Sequence, residues 1–243
     1  MADEKLLNVQ QRQLEKHLDA IVSDVIVADK CYFLLREISA SAAGINEHNF
    51  GELFGFLQDD LLSMYTLTLA RLFEIPKRYR IRGIPATLDF LDANRDAIPF
   101  DAAACSRRNS RCPAWMRSQI AELTHSAVAV MRNRLPNADG TALFDALDAI
   151  LFRRDKKVAH NEVVSDEEMP AMTWGNTRKL LDHAKTVVAA IGGGYFGISY
   201  KSYFTDETVE YGLSTDAHRT ADALNRLLRR ADVLGKPEGF AKS

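Results

Sequence analysis

The sequence predicts an all-α protein, a helical bundle of about six to seven helices that opens with a long N-terminal helix. Apolar residues recur every three or four positions along nearly the whole chain, which is the helical period. The chain has no internal repeat, and no Pro-, Gly- or Ser-rich linker divides it. We therefore predict one domain over residues 1–243, with its core at about 10–190 and an aromatic connection plus a C-terminal helix over 195–243.

The first helix is predicted to continue to Ala43, because neither Gly nor Pro occurs before Gly44, its candidate C-cap. Its apolar positions form a narrow stripe: Leu7, Leu14, Leu18, Ile21, Val25, Ala28, Tyr32 and Leu35. At 1.5 Å per residue the helix would reach roughly 50 Å, more than one core usually needs. Two interpretations are open: a long bundle helix, or a helix that packs in part against another subunit.

Four helices are predicted in the middle of the chain. The second, from about Glu47 to Phe73, is apolar on most faces, which predicts a central position. The third has Pro85 in its first turn and ends near Ala97. A loop over 99–113 leads to the fourth, over 113–135, and Thr141 caps the fifth, which continues to Leu151.

The C-terminal third holds two more helices. Residues 165–168 form a capping-box pattern before a helix that the glycines at 192–194 are predicted to end. Residues 195–212 are rich in tyrosine and phenylalanine and could be a loop or a small hairpin that covers the end of the bundle or stacks on bases. The last helix is predicted over 215–231.

Composition excludes several classes of protein. A net charge of −2 requires any nucleic-acid site to be a local basic patch. Three cysteines without a CxxC pair, and histidines without metal-ligand spacing, predict neither a disulfide framework nor a metal site, and no motif calls for a cofactor. The acidic N-terminus is unlike a signal peptide, and no apolar run approaches the ~18 residues of a membrane span. We expect a cytoplasmic protein without a membrane partner.

Residues 151–162 carry the most chemistry in the chain. Arg154 could hold a phosphate, Asp155 could orient its guanidinium, and His160 could exchange protons near neutral pH. Neighbouring cations add positive potential and are candidate phosphate ligands: Arg153, Lys156 and Lys157. Such a group could cleave RNA without a metal through attack by the 2′-hydroxyl. Spacing alone favours the other interpretation, a solvated basic helix end with a capping histidine.

The spacing Arg154-Asp155, four residues, His160 resembles the R-x(4–6)-H signature of the HEPN superfamily, most closely its abortive-infection AbiU-type branch. A second similarity is the segment 69–74, Leu-Ala-Arg-Leu-Phe-Glu, at the end of an apolar helix. The resemblance implies an all-α dimer whose Arg/His pairs face each other. Active members are metal-independent ribonucleases, often toxins or antiviral effectors, that leave 2′,3′-cyclic phosphate ends; other members have the fold without demonstrated catalysis.

By this resemblance Arg154 would bind the scissile phosphate, His160 would be the general acid and base, and Asp155 would assist. Because Arg153 is adjacent, either arginine could be the working one. The alternative to a ribonuclease is a non-catalytic module that binds RNA or a nucleotide, or a purely structural helical dimer. The basic segments 77–82 and 107–111 could track RNA or be solvated loops. The sequence does not identify the RNA target or any antitoxin.

Overall fold

The protein is described from a computed structural model, over residues 8–75, 82–98, 142–159, 165, 168, 170, 172–196, 198 and 213–234. All regular structure in these residues is helical, so the all-α prediction is confirmed. The elements are α1 (Val9–Ala40), α2 (Ala42–Glu47), α3 (Gly51–Phe73), α4 (Ile84–Ala93), α5 (Ala142–Arg153), π-helix π1 (Arg154–Ala159), α6 (Trp174–Ile191), π-helix π2 (Gly192–Phe196) and α7 (Thr215–Arg230).

Helix α1 is the axis of the bundle. A capping box starts it: Asn8 Oδ1 accepts from the Gln11 backbone N–H at 2.7 Å, and Gln11 Oε1 accepts from the Asn8 N–H at 3.0 Å. The predicted stripe is buried from Leu14 to Leu35. Because α3, α4, α6 and α7 of the same chain pack along it, the bundle itself accounts for the length of this helix.

Gly44 does not cap α1, contrary to the prediction. Helix α1 ends at Ala40, and Gly44 lies inside the short helix α2. A Cβ atom at Gly44 would overlap the backbone carbonyl oxygen of Val233, which follows α7. Glycine is therefore needed here for the close approach of a distant segment, which local sequence does not reveal.

Helix α3 is central over only part of its length. Tyr65, Leu69 and Leu72 in its C-terminal half are completely buried, as predicted. In the N-terminal half, however, Leu53 and Phe56 are 55 % and 63 % exposed. The apolar composition of a helix shows that it can be buried on many faces, but not how many neighbours it has.

Helix α6 starts and ends differently from the prediction. Glu168 accepts from the Ser165 backbone N–H at 3.1 Å, but α6 begins at Trp174, where Thr173 Oγ1 accepts from the Asn176 N–H at 3.2 Å. The glycines at 192–194 do not stop the helix; they are buried and continue it as π2.

The remaining predicted elements are partly confirmed. Helix α4 has Pro85 in its first turn, and α7 lies within one residue of its predicted bounds. The predicted helix 113–135, the basic segment 107–111 and most of the connection 195–212 lie outside the described residues. None of the helices described is long and apolar enough to cross a membrane.

A buried ionic cluster joins α1, α6 and α7, and the sequence did not predict it. The Asp29 carboxylate, which is 0 % exposed, accepts from Lys185 Nζ at 2.7 Å and from Arg178 Nη1 at 3.2 Å. Lys185 also donates to Ser214 Oγ at 2.8 Å. Arg178 in turn lies over the Tyr32 ring, 5.1 Å from its centroid. The cluster therefore fixes the C-terminal helices against the axis of the bundle.

Candidate functional site

The segment over residues 151–162, which we call the Arg/His segment, begins where helix α5 passes into the wider π-helix π1. Helix α5 ends at Arg153, and π1 carries residues Arg154 to Ala159. The π-helix is rare, and single-turn π-bulges inside α-helices are frequently found at functional sites. His160 follows π1 directly in the sequence but lies outside the described residues, so its assigned role stays a prediction.

Two carboxylates hold Arg154. Its Nη1 lies 2.7 Å from Glu74 Oε2, and its Nε lies 2.7 Å from Asp155 Oδ1. The hydrogen bond to Asp155 and then the pairing with Glu74 raise the pKa of the Arg154 guanidinium, against the lowering effect of burial. The contact expected between Asp155 and the arginine is therefore present, whereas the pairing with Glu74 was not anticipated.

These contacts orient the arginine and leave some of its N–H donors available for other hydrogen bonds. A guanidinium has five N–H donors, and the two contacts use two of them. Arg154 is 21 % exposed and Glu74 is 31 % exposed, so solvent screens the pair and it stabilises the fold by roughly 1 kcal/mol or less. Glu74 thus mainly sets the direction of the guanidinium, and with it the direction of the three remaining N–H donors.

The other predicted phosphate ligands lie on both sides of the junction between α5 and π1. Arg153, Lys156 and Lys157 are all half-buried. Among the described residues Arg153 forms no ion pair, in contrast to Arg154. The structure thus orients Arg154 through two ion pairs and gives Arg153 none among the described residues, and which arginine binds phosphate stays a prediction.

An open cavity of about 410 Å³ lies between α1 and α3, one helical turn from Glu74. It is lined by Ala20, Ser23, Asp24, Arg71 and Arg82. Arg71 Nη2 lies 2.6 Å from Asp24 Oδ1. We call this cavity the α1–α3 groove. Sequence reasoning had marked Arg71 and Arg82 in separate motifs, and only the fold brings them together.

His17 lies beside the groove on α1. Burial, and after it the positive charge of Arg82, lower its pKa below 6.5. Thr87 Oγ1 donates to the Gly83 carbonyl at 2.9 Å, so His17 Nδ1, 3.3 Å from that hydroxyl, is placed to donate to it. The ring stacks on Phe90 with centroids 5.2 Å apart. The His17 side chain is thus packed against its neighbours beside the groove and does not line it.

The described residues contain no group of three or more His, Cys, Asp or Glu side chains that could hold a metal ion. A family model described as AbiU2, a HEPN family, matches residues 12–211 of the chain. This range contains Glu74, the α1–α3 groove and the whole Arg/His segment. No curated protein and no solved structure matches the chain.

Proposed function

The chain belongs to the HEPN family of AbiU2, and from this premise we propose that it is a metal-independent endoribonuclease, a cytoplasmic toxin or phage-defence effector. The observation that carries the proposal is the placement of Arg154. It opens the π-helix that leads directly to His160 in the sequence, and Glu74 and Asp155 hold its guanidinium in one orientation. A pre-oriented cation beside a proton-transfer group is the pair of functions that phosphodiester cleavage requires.

In the proposed reaction the 2′-oxygen of a ribose attacks the adjacent phosphorus and the P–O5′ bond breaks. His160 removes the 2′-hydroxyl proton as general base or protonates the departing 5′-oxygen as general acid. Arg154 binds the non-bridging oxygens and stabilises the charge that accumulates on them. The products are a 2′,3′-cyclic phosphate and a 5′-hydroxyl, and no atom or electron pair has to come from a metal.

One histidine per chain can perform only one of these two proton transfers at a time. We therefore propose that the protein acts as a homodimer in which a second copy supplies the other group, the arrangement that the family resemblance implies. Sedimentation analysis tests this step, because a strictly monomeric active enzyme would contradict it.

Cleavage of total RNA in excess EDTA tests the proposal. The wild type should yield fragments with 2′,3′-cyclic phosphate ends. His160→Ala should lower the rate by about 10²–10⁴-fold, the usual contribution of general acid–base catalysis. Arg154→Ala should lower it by about 10²–10³-fold through lost charge stabilisation. Arg226→Gln, an exposed arginine of α7, is the matched control and should cleave like the wild type. Full activity of His160→Ala would exclude the mechanism.

One observation favours a second candidate, a non-catalytic module that binds RNA or a nucleotide. The two carboxylates beside Arg154 compete with phosphate for its guanidinium and lower the local positive potential. This function predicts salt-sensitive RNA binding without cleavage. Arg154→Ala would weaken that binding and His160→Gln would leave it unchanged, so the two variants separate binding from catalysis.

A further inference from the structure

The α1–α3 groove holds two cations that no ribonuclease step described above uses. Arg71, from the last turn of α3, and Arg82, just before α4, line the same open cavity. Among the lining residues that the structure describes, these two guanidinium groups face a single carboxylate, that of Asp24. The groove is therefore locally cationic, although the chain as a whole carries a net charge of −2.

One arginine of the groove is held by an ion pair, and the other is exposed to solvent. Asp24, whose side chain is 20 % exposed, holds Arg71 at 2.6 Å from the α1 side. Arg71 itself is 55 % exposed and lines the cavity, so its remaining donors are accessible to solvent. Arg82 is exposed and forms no ion pair with the described residues. An anion could thus be bound by both arginines without breaking the pair between Arg71 and Asp24.

The α1 wall of the groove has room for such a ligand. Ala20 and Ser23 have small side chains, and the hydroxyl of Ser23 offers a hydrogen bond to a phosphate oxygen. Asp24 disfavours an anion at its own end of the cavity but can accept a hydrogen bond from a ribose hydroxyl. The combination of two forked cations, a hydroxyl and one acceptor matches a nucleotide of RNA better than an isolated inorganic anion.

The groove is also contiguous with the proposed catalytic site. Arg71 lies in the last turn of α3, and Glu74, three residues later, is the C-cap that directly follows this helix. Glu74 in turn contacts Arg154. A strand whose scissile phosphate lies on Arg154 would therefore pass the groove with a neighbouring phosphate.

We propose that the α1–α3 groove is a second phosphate subsite, in which Arg71 and Arg82 bind a phosphodiester of the RNA strand flanking the one at Arg154. This proposal rests on the proposed ribonuclease function and gives it a direction along the protein surface. The subsite contributes affinity and register for RNA, and it performs no chemistry.

Binding is measured with a short single-stranded RNA whose 2′-hydroxyls are methylated, so that it cannot be cleaved. Arg82→Gln and Arg71→Gln should each raise the dissociation constant roughly tenfold, the loss of one charge-assisted contact. Each should also reduce the slope of log K against log salt by about 0.7, the value for one phosphate on a single strand. Cleavage of unmodified RNA should show a higher KM with little change in kcat.

The control is again Arg226→Gln. Its neighbour Asn225 contacts Glu37, roughly 20 Å along α1 from Ser23. This variant makes the same change in charge away from the groove and should bind RNA like the wild type. Arg82→Gln breaks no ion pair among the described residues, so it stays informative if Arg71→Gln, which removes the partner of Asp24, fails to fold.

The possible results separate the two proposals. If Arg71→Gln and Arg82→Gln bind RNA like Arg226→Gln while His160→Ala abolishes cleavage, the subsite is refuted and the ribonuclease stands. If the wild type neither binds nor cleaves RNA, both are refuted. If adenosine monophosphate or inorganic phosphate displaces the probe at the concentration at which RNA does, the groove binds free phosphates and its assignment to an RNA strand is wrong.

Discussion

Replacing Asp29 with alanine should cost more stability than any other single change of charge among the described residues. The Asp29 carboxylate is completely buried and lies 2.7 Å from Lys185 Nζ, whose side chain is 5 % exposed. Removing one partner of a buried ion pair costs about 3–5 kcal/mol, because the other charge stays in a medium that solvates it poorly. Against a typical total of about 5–15 kcal/mol, Asp29→Ala would remove roughly a fifth or more of the stability.

The measurement is thermal and urea unfolding followed by circular dichroism. For a chain of this length the loss corresponds to a lower melting temperature by roughly 10 °C. Asp222→Ala is the matched control, since it removes an exposed aspartate of α7. It should change the free energy of unfolding by no more than about 0.5 kcal/mol.

A double substitution distinguishes lost pairing from lost volume. Asp29→Leu combined with Lys185→Met replaces the pair by apolar side chains and should recover most of the stability. Arg178 would retain a carboxylate in this variant, because its Nε also lies 3.0 Å from Asp182. If Asp29→Ala melted within about 2 °C of the wild type, or if the double variant were no more stable than the single one, the buried pairing would not hold these helices together.

Two further predictions concern the neighbourhood of the site. Glu74→Gln keeps the shape of the side chain but removes a charge that orients Arg154. The kcat for RNA cleavage should fall about 10- to 100-fold, because small errors in the position of a catalytic group are costly. KM should not rise, because the variant has one carboxylate fewer to repel the substrate. An unchanged kcat would show that Asp155 alone suffices. Because the pKa of His17 is lowered below 6.5 in the folded state, the unfolded chain binds more protons, and stability should fall as the pH drops through 6.5 toward the folded pKa. His17→Gln should therefore lose less urea stability than the wild type between pH 7.5 and 5.5, and equal losses would contradict the shift.

The apolar pattern predicted the helices because burial on one face imposes a period that short stretches of sequence display. The stripe from Leu14 to Leu35 is buried as expected. The same pattern could not reveal Asp29, since a single charge within a helix is usually solvated. Its two partners lie 149 and 156 residues further along the chain. Contacts of this kind depend on how the helices pack, which periodicity does not encode.

The candidate site, too, could be predicted from the sequence only in part. The neighbouring positions of Arg154 and Asp155 made their contact predictable, because adjacent side chains at a helix end can reach each other. The contact with Glu74 required α3 to end beside π1, and the groove required Arg71 and Arg82 to line one cavity against α1. The sequence shows the segment 69–74, the segment 77–82 and the Arg/His segment, but it does not show how close they lie in the fold.

The division of charge between Arg154 and the groove has a consequence for how RNA would bind. Arg154 carries two carboxylate partners, whereas in the groove Arg71 pairs with Asp24 and Arg82 forms no ion pair among the described residues. Phosphate at Arg154 would therefore bind against local competition from carboxylates, and the groove would add affinity through Arg71 and Arg82. Arg154 would contribute most when negative charge develops on its phosphate. An arginine balanced by carboxylates in the ground state stabilises that developing charge without binding the substrate tightly, which is the difference that accelerates a reaction.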